Sequence, residues 1–271
     1  MRRPVVAGKF YAGGETALRA QVEWCFRHRV GPGKLPTVAP ERAGAVRGLV
    51  VPHAGFMYSG PVAAYAYAAL AADGAPDLVV VIGPNHTGRG SGIAVMADDF
   101  DTPMGKVEVD KDAAKAMRGG IVDEDASAHA FEHSIEVQLP FVKYVAPKAK
   151  FVPVCMMMQD YRSAREAGKA IGEALDGKSA VVIASTDFSH YVSPETAKRK
   201  DALAIERIEA LDPEGLGKVV EKNDISMCGY GPVMAMMEAI KPKSAKLLKY
   251  ATSGDLAPMK EVVGYAAMAM S

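Results

Sequence analysis

Two hydrophobic patterns alternate along the chain: short runs rich in β-branched and other apolar residues, and Ala-rich stretches whose apolar positions recur at helical spacing. Such alternation is the sequence mark of a layered α/β fold. The runs predict strands over 48–51, 78–82, 93–96, 151–154, 180–184, 245–250 and 262–268. The helical spacing predicts helices over 15–29, 61–72, 110–117, 135–145, 163–175, 194–210, 213–220 and 232–240. Pro61 begins one of them behind Gly60, where a missing N–H costs nothing. Residues 98–109 read as a turn and hairpin laid beside the main sheet. The last strand alternates least strictly and is expected at a sheet edge, or closing the sheet near the N-terminal segment. The Gly/Pro-rich stretch 31–36 reads as a surface loop, and no linker or internal repeat divides residues 1–271. The expectation is one α/β domain with a central mixed β-sheet flanked by helices.

Composition narrows the function without naming it. The chain has 271 residues, 49% apolar and 24% charged, with a formal net charge of zero. A balanced charge without long basic runs gives no support for nucleic acid or for an anionic membrane surface, so the expected partner is a small-molecule substrate, a peptide or another protein. No apolar run approaches the roughly 20 residues of a membrane span. The opening residues have a basic pair but no apolar stretch of signal-peptide length, and the expectation is a cytoplasmic protein. Cys25, Cys155 and Cys228 are odd in number and widely spaced, which argues against a disulfide framework and against a structural zinc cluster.

The residues able to carry chemistry sit where apolar runs end. His53 follows Val50-Val51-Pro52 and precedes Ala54-Gly55, and His86 follows Gly83-Pro84-Asn85. Loops at the carboxyl ends of sheet strands are where α/β proteins gather ligands. Cys228 precedes Gly229-Tyr230-Gly231-Pro232 and a helix, a position where backbone dipoles favour the thiolate. Two imidazoles and a thiolate form a set that binds a transition metal. The bland alternatives are core histidines and a small buried thiol. In Ser185-Thr186-Asp187-Phe188-Ser189-His190, Asp187 could hold His190 in one tautomer, or the polar run could be only turn and cap. His133 opens the predicted helix 135–145, either facing the site with Glu136 nearby or lying in a solvated first turn. Tyr58 is a proton donor or substrate contact by the functional reading and an ordinary half-buried tyrosine by the other. Cys25, Cys155 and most of the fifteen methionines read as core. Dinucleotide, phosphate-loop and serine-hydrolase signatures are missing.

Six segments together resemble the Memo family, the middle component of the AmmeMemoRadiSam grouping. They are Arg3-Pro-x-x-Ala-Gly-x-Phe-Tyr11, Pro52-His-Ala-Gly-x-x-Tyr-Ser-Gly60, Gly83-Pro-Asn-His86, Glu132-His-Ser-x-Glu-x-Gln-Leu-Pro140, Ser185-Thr-Asp-Phe-Ser-His-Tyr191 and Cys228-Gly-x-Gly-Pro232. The resemblance implies a fold like that of class III extradiol dioxygenases, in which two histidines and a glutamate hold non-haem Fe(II). It places His53 and His86 at the histidine ligands and Cys228 at the third. It makes His190 the acid/base histidine and His133 a second pocket histidine, with Asp187 and Tyr58 beside them. Thiolate in place of carboxylate leaves Fe(II) the leading expectation, with Cu or Zn as alternatives. Two readings follow. One is a non-haem iron, dioxygenase-like oxidoreductase; the other is an adaptor that keeps the pocket and binds a metal or a peptide. A Cys228–His nucleophilic pair is a weaker third. AMMECR-type and radical SAM proteins are the partners implied by the grouping.

Overall fold

The computed structural model describes all 271 residues. Eight strands form one sheet: β1 (Gly48–Val51), β2 (Leu78–Pro84), β3 (Ile93–Val95), β4 (Asp123–Glu124), β5 (Lys150–Met156), β6 (Ala180–Ser185), β7 (Ala245–Thr252) and β8 (Gly264–Met270). Their spatial order is β4-β3-β5-β2-β6-β1-β8-β7. The central four, β5, β2, β6 and β1, are mutually parallel, while β3 and β8 run antiparallel to the parallel strands they border. Every residue of β1 and β2 is buried, as expected of parallel strands covered by helices on both faces. The sheet is mixed, and helices flank it in a single α/β domain.

This strand order positions the site. Strand β6 lies between β1 and β2, paired Val51 to Ser185 on one side and Ile82 to Ala184 on the other. His53 and His86 each follow their strand by two residues, so they leave the sheet on either side of the end of β6. The Ser185–His190 run continues from β6 itself. Three segments distant in sequence therefore meet at one strand end, the usual place for a ligand in such sheets.

Several boundaries differ from the sequence expectation, each for a physical reason. The last strand is not at an edge: β8 lies between β1 and β7, antiparallel to both. Its weak alternation reflects cover on both faces, and its alanines let the helix Gly60–Asp73 pack closely. The edge belongs to β7, where Lys246 and Lys249 discourage further pairing and Glu209 accepts the Leu247 amide at 3.1 Å. The predicted helix over 135–145 is a 3-10 turn, Glu136–Gln138, running into the α-helix Leu139–Val145. Pro140 has no N–H to offer the Glu136 carbonyl, which accepts from Leu139 instead. Residues 98–109 do form a turn beside the sheet, with bridges from Phe100 to Val107 and from Val109 to Phe151. No helix is long and apolar enough to cross a membrane.

Candidate metal centre

His53, His86 and Cys228 converge: their ligand atoms all lie within 4.8 Å of one another, and Cys228 Sγ is 3.3 Å from His53 Nε2. The hydrogen bonds around Ser185 fix the tautomer of His53. The Ser185 hydroxyl has one proton, and it goes to the Ser134 carbonyl at 2.7 Å. One Ser185 lone pair accepts Gln138 Nε2 at 2.8 Å, so His53 Nδ1, at 2.9 Å, must donate to the other. Gln138 is itself oriented by the Pro52 carbonyl, which can only accept, and by the Tyr67 hydroxyl. His53 thus presents the Nε2 lone pair to Cys228. Burial, and then the neighbouring imidazoles, hold its pKa well below the usual histidine range, which keeps the ring neutral as a ligand must be.

His86 is oriented by a carboxylate. Glu132 Oε1 lies 2.9 Å from His86 Nδ1 and also accepts the amides of His133 and Ser134, both at 2.8 Å. Burial alone would raise the Glu132 carboxyl, but the hydrogen bond and charge of His86 with the backbone donors hold it at about 2. An ionised acceptor fixes Nδ1 as N–H and leaves Nε2 for a ligand bond, the carboxylate–histidine arrangement of metal sites. Glu132 also groups with His86 and His133 as a second set of metal-ligating types. With both of its oxygens engaged by N–H donors, that set is a hydrogen-bonded support for His86.

Cys228 is held from below. Gln159 donates to its carbonyl at 2.8 Å, and the Asp187 amide donates to its sulfur at 3.3 Å. The helix Tyr230–Ile240 begins two residues later, yet burial and then Asp187 push the thiol well up. Burial and Asp187 thus oppose the helix position, which favours loss of the thiol proton. The donor set still fits a soft or borderline divalent ion, whose charge would displace that proton.

The remaining predicted residues surround the same place. A cavity of about 590 Å³ is lined by His53, His86, His133, His190, Asp187 and Tyr58 among others. His190 donates Nδ1–H to the Ser226 carbonyl at 2.7 Å, and its amide is taken by the Ser226 hydroxyl. Asp187 does not orient His190 as the sequence suggested; its Oδ1 accepts the His53 amide at 2.8 Å and so fixes the turn after β1. His133 stacks on His86 at 4.7 Å between ring centres, and burial lowers its pKa. Glu136 is fully buried rather than solvated and lies outside the cavity, where it pins the N-terminal segment through Arg2, Tyr11 and the Val5 and Val6 amides. A larger cleft, about 920 Å³, opens beside Arg47 and Lys241 at the opposite strand ends and contains no histidine.

A family model described as Memo-like protein matches residues 2–269. The chain belongs to the Memo family. A MEMO1 family protein of Methanopyrus kandleri is 51% identical, over 98% of this chain and 98% of its own length. MEMO1 family proteins of Methanothermobacter thermautotrophicus and Ignicoccus hospitalis are 46% and 48% identical over at least 98% of both chains. Within this Memo chain, Glu132, Gln138, Ser185 and Ser226 are site residues that sequence reasoning did not single out. All four lie in segments already conspicuous for their histidines, polar runs or Cys228, from which Ser226 is two residues away.

Proposed function

We propose that this Memo family protein is a metal-dependent oxidoreductase with a mononuclear Fe(II) centre held by His53, His86 and Cys228. The supporting observation is that both histidines have Nδ1–H committed to fixed acceptors, so two Nε2 lone pairs and a sulfur face one point. Fe(II) held by these residues would supply a redox-active Lewis acid, the role the dioxygenase resemblance suggests. His190 is the proton-transfer group, because the Ser226 carbonyl holds Nδ1–H and leaves Nε2 for a substrate proton. His133 walls the cavity beside His86, Asp187 sets the backbone carrying His53, and Tyr58 contacts substrate at the rim. Zn(II) or Cu(I) would suit the same donors.

The test is metal content by mass spectrometry on protein purified without oxygen or affinity-tag metals. Near-stoichiometric iron, lost in Cys228→Ser and in His86→Ala but kept in His190→Ala, is the expected result. Metal retained in Cys228→Ser overturns the ligand set. Oxygen uptake that persists in iron-loaded His190→Ala removes the assigned proton-transfer group. The adaptor reading gains from the exposed apolar rim of the cavity, where Tyr191 is 74% and Met57 56% exposed. A fully loaded protein that consumes no oxygen with any member of a substrate panel would favour it.

A further inference from the structure

The cavity gathers acidic and imidazole groups beside a single lysine, and that chemistry selects its organic ligand. His190 donates Nδ1–H to Ser226, so its Nε2 offers a lone pair. His133 turns Nδ1 toward Glu132, 3.5 Å away, which leaves its other nitrogen for the cavity. Asp187, only 4% exposed, lines the same space, and Glu261 stands at the rim. Lys9 is the one lysine or arginine in the lining. Once a metal takes Nε2 of His53 and His86, the groups left are the His190 lone pair, the second His133 nitrogen, Glu261 and the Asp187 oxygen that does not take the His53 amide. A ligand that supplied only acceptors would leave them desolvated and unpaired.

The aromatic side chains point the same way. Tyr58, Tyr191, Tyr265 and Phe10 line the cavity with Met57 and Met259. Tyr191 holds φ at 55°, a left-handed conformation that a bulky residue adopts only under constraint. The constraint comes from both sides: Ser226 holds His190, and Val192 accepts the Val262 amide at 2.8 Å. The backbone strain thus keeps a largely exposed ring at the mouth instead of folding it into the core. Aromatic faces beside carboxyl groups attract cations.

We propose that the cavity is an amine site, taking a primary ammonium group on an aromatic or apolar body, with the ammonium among His190, Asp187 and Glu261 and the body against Tyr191, Tyr58 and the methionines. This deepens the metal-centre reading by naming the organic ligand of the same space. The probes are phenethylamine, 2-phenylethanol and phenylacetate, matched in shape and differing in charge. Each is titrated by calorimetry into the full chain, first metal-free and then zinc-loaded, with zinc measured by mass spectrometry in the same samples.

Phenethylamine is expected to bind about tenfold more tightly than phenylacetate, with the alcohol between them. Tyr191→Leu should weaken the amine about threefold, Tyr191→Phe should restore it, and Glu261→Gln should narrow the gap between amine and carboxylate. None of these residues is a metal ligand, so zinc content should not change. Phenylacetate binding as tightly as the amine, or no binding of any probe at millimolar concentration, overturns the inference. Amine preference in a protein that takes up no zinc would remove the metal reading and leave this one standing.

Discussion

Glu132→Gln separates support of the metal centre from support of the fold. The two Glu132 oxygens accept four N–H groups: the His86 amide on Oε2, and His86 Nδ1 with the His133 and Ser134 amides on Oε1. Glutamine brings one oxygen. Placed where Oε1 stands, it keeps three of the four bonds but turns its NH2 toward the His86 amide, donor against donor. One buried amide left unpaired, with the loss of charge assistance, costs about 2–3 kcal/mol. Spread over the unfolding entropy of a chain this long, that lowers Tm by about 4 °C. The ring of His86 also loses its anionic anchor, and losing the hydrogen-bonded carboxylate behind a ligating histidine typically costs about 10–100-fold in metal affinity. Zinc competition against a fluorescent chelator measures the affinity, and scanning calorimetry of metal-free protein measures the stability. Glu136→Gln is the control, since Glu136 is equally buried in the same segment but pins Arg2 and Tyr11 instead. It should lower Tm and leave zinc affinity unchanged. Zinc affinity in Glu132→Gln within about twofold of the parent protein would refute the assigned role, whatever happened to Tm.

Two further outcomes follow from the packing. His129 is 1% exposed, and burial first, with a smaller effect of Arg2, lowers its pKa to about 4. The folded state therefore favours the neutral ring. Its contribution, about 3 kcal/mol, is fully present above the unfolded value near 6.5 and is lost as pH falls from there through about 4. Urea unfolding of metal-free protein at pH 7 and pH 4.5 should show a loss to which His53 and His133 also contribute, and His129→Asn should make it smaller by about 2–3 kcal/mol; an equal loss in both proteins would refute the assignment. Gly229 packs where a Cβ would lie 2.4 Å from the Ser185 carbonyl oxygen and 2.7 Å from Thr186 Cβ. Gly229→Ala should therefore displace Cys228 and lower both Tm and zinc affinity, and a fully metallated variant of parental stability would show that the loop can yield.

Much of the site was legible because strand ends are legible. The apolar runs before His53, His86 and Asp187 are buried parallel strands, and their periodicity is visible without any structure. What periodicity could not supply was the order of those strands. The two histidines meet because β6, from late in the chain, lies between β1 and β2. No local pattern encodes that insertion, and the expectation of convergence rested on family resemblance. The two placements left open for the last strand have the same origin, since an alanine-rich run such as 264–270 reads as weak alternation at an edge or under cover on both faces alike.

The supporting residues were harder still to read, because a polar side chain in a turn has the same sequence signature whether it faces water or a buried partner. Glu132 and Glu136 show the problem sharply. They lie four residues apart beside the same histidine, both almost completely buried, and sequence reasoning took Glu136 as the one near His133. The choice between them is made by the N-terminal segment, more than a hundred residues away, where Arg2 and Tyr11 engage Glu136 and leave Glu132 to His86. Asp187 behaves in the same way: its neighbour in sequence is His190, but the His53 amide claims its oxygen. In each case the ligating or proton-transfer residue announces itself by its chemistry, while the group that fixes its tautomer is selected by tertiary pairing. Substitutions in that supporting set, tested on metal affinity and stability together, therefore probe the fold's contribution to the site more directly than removal of the histidines themselves.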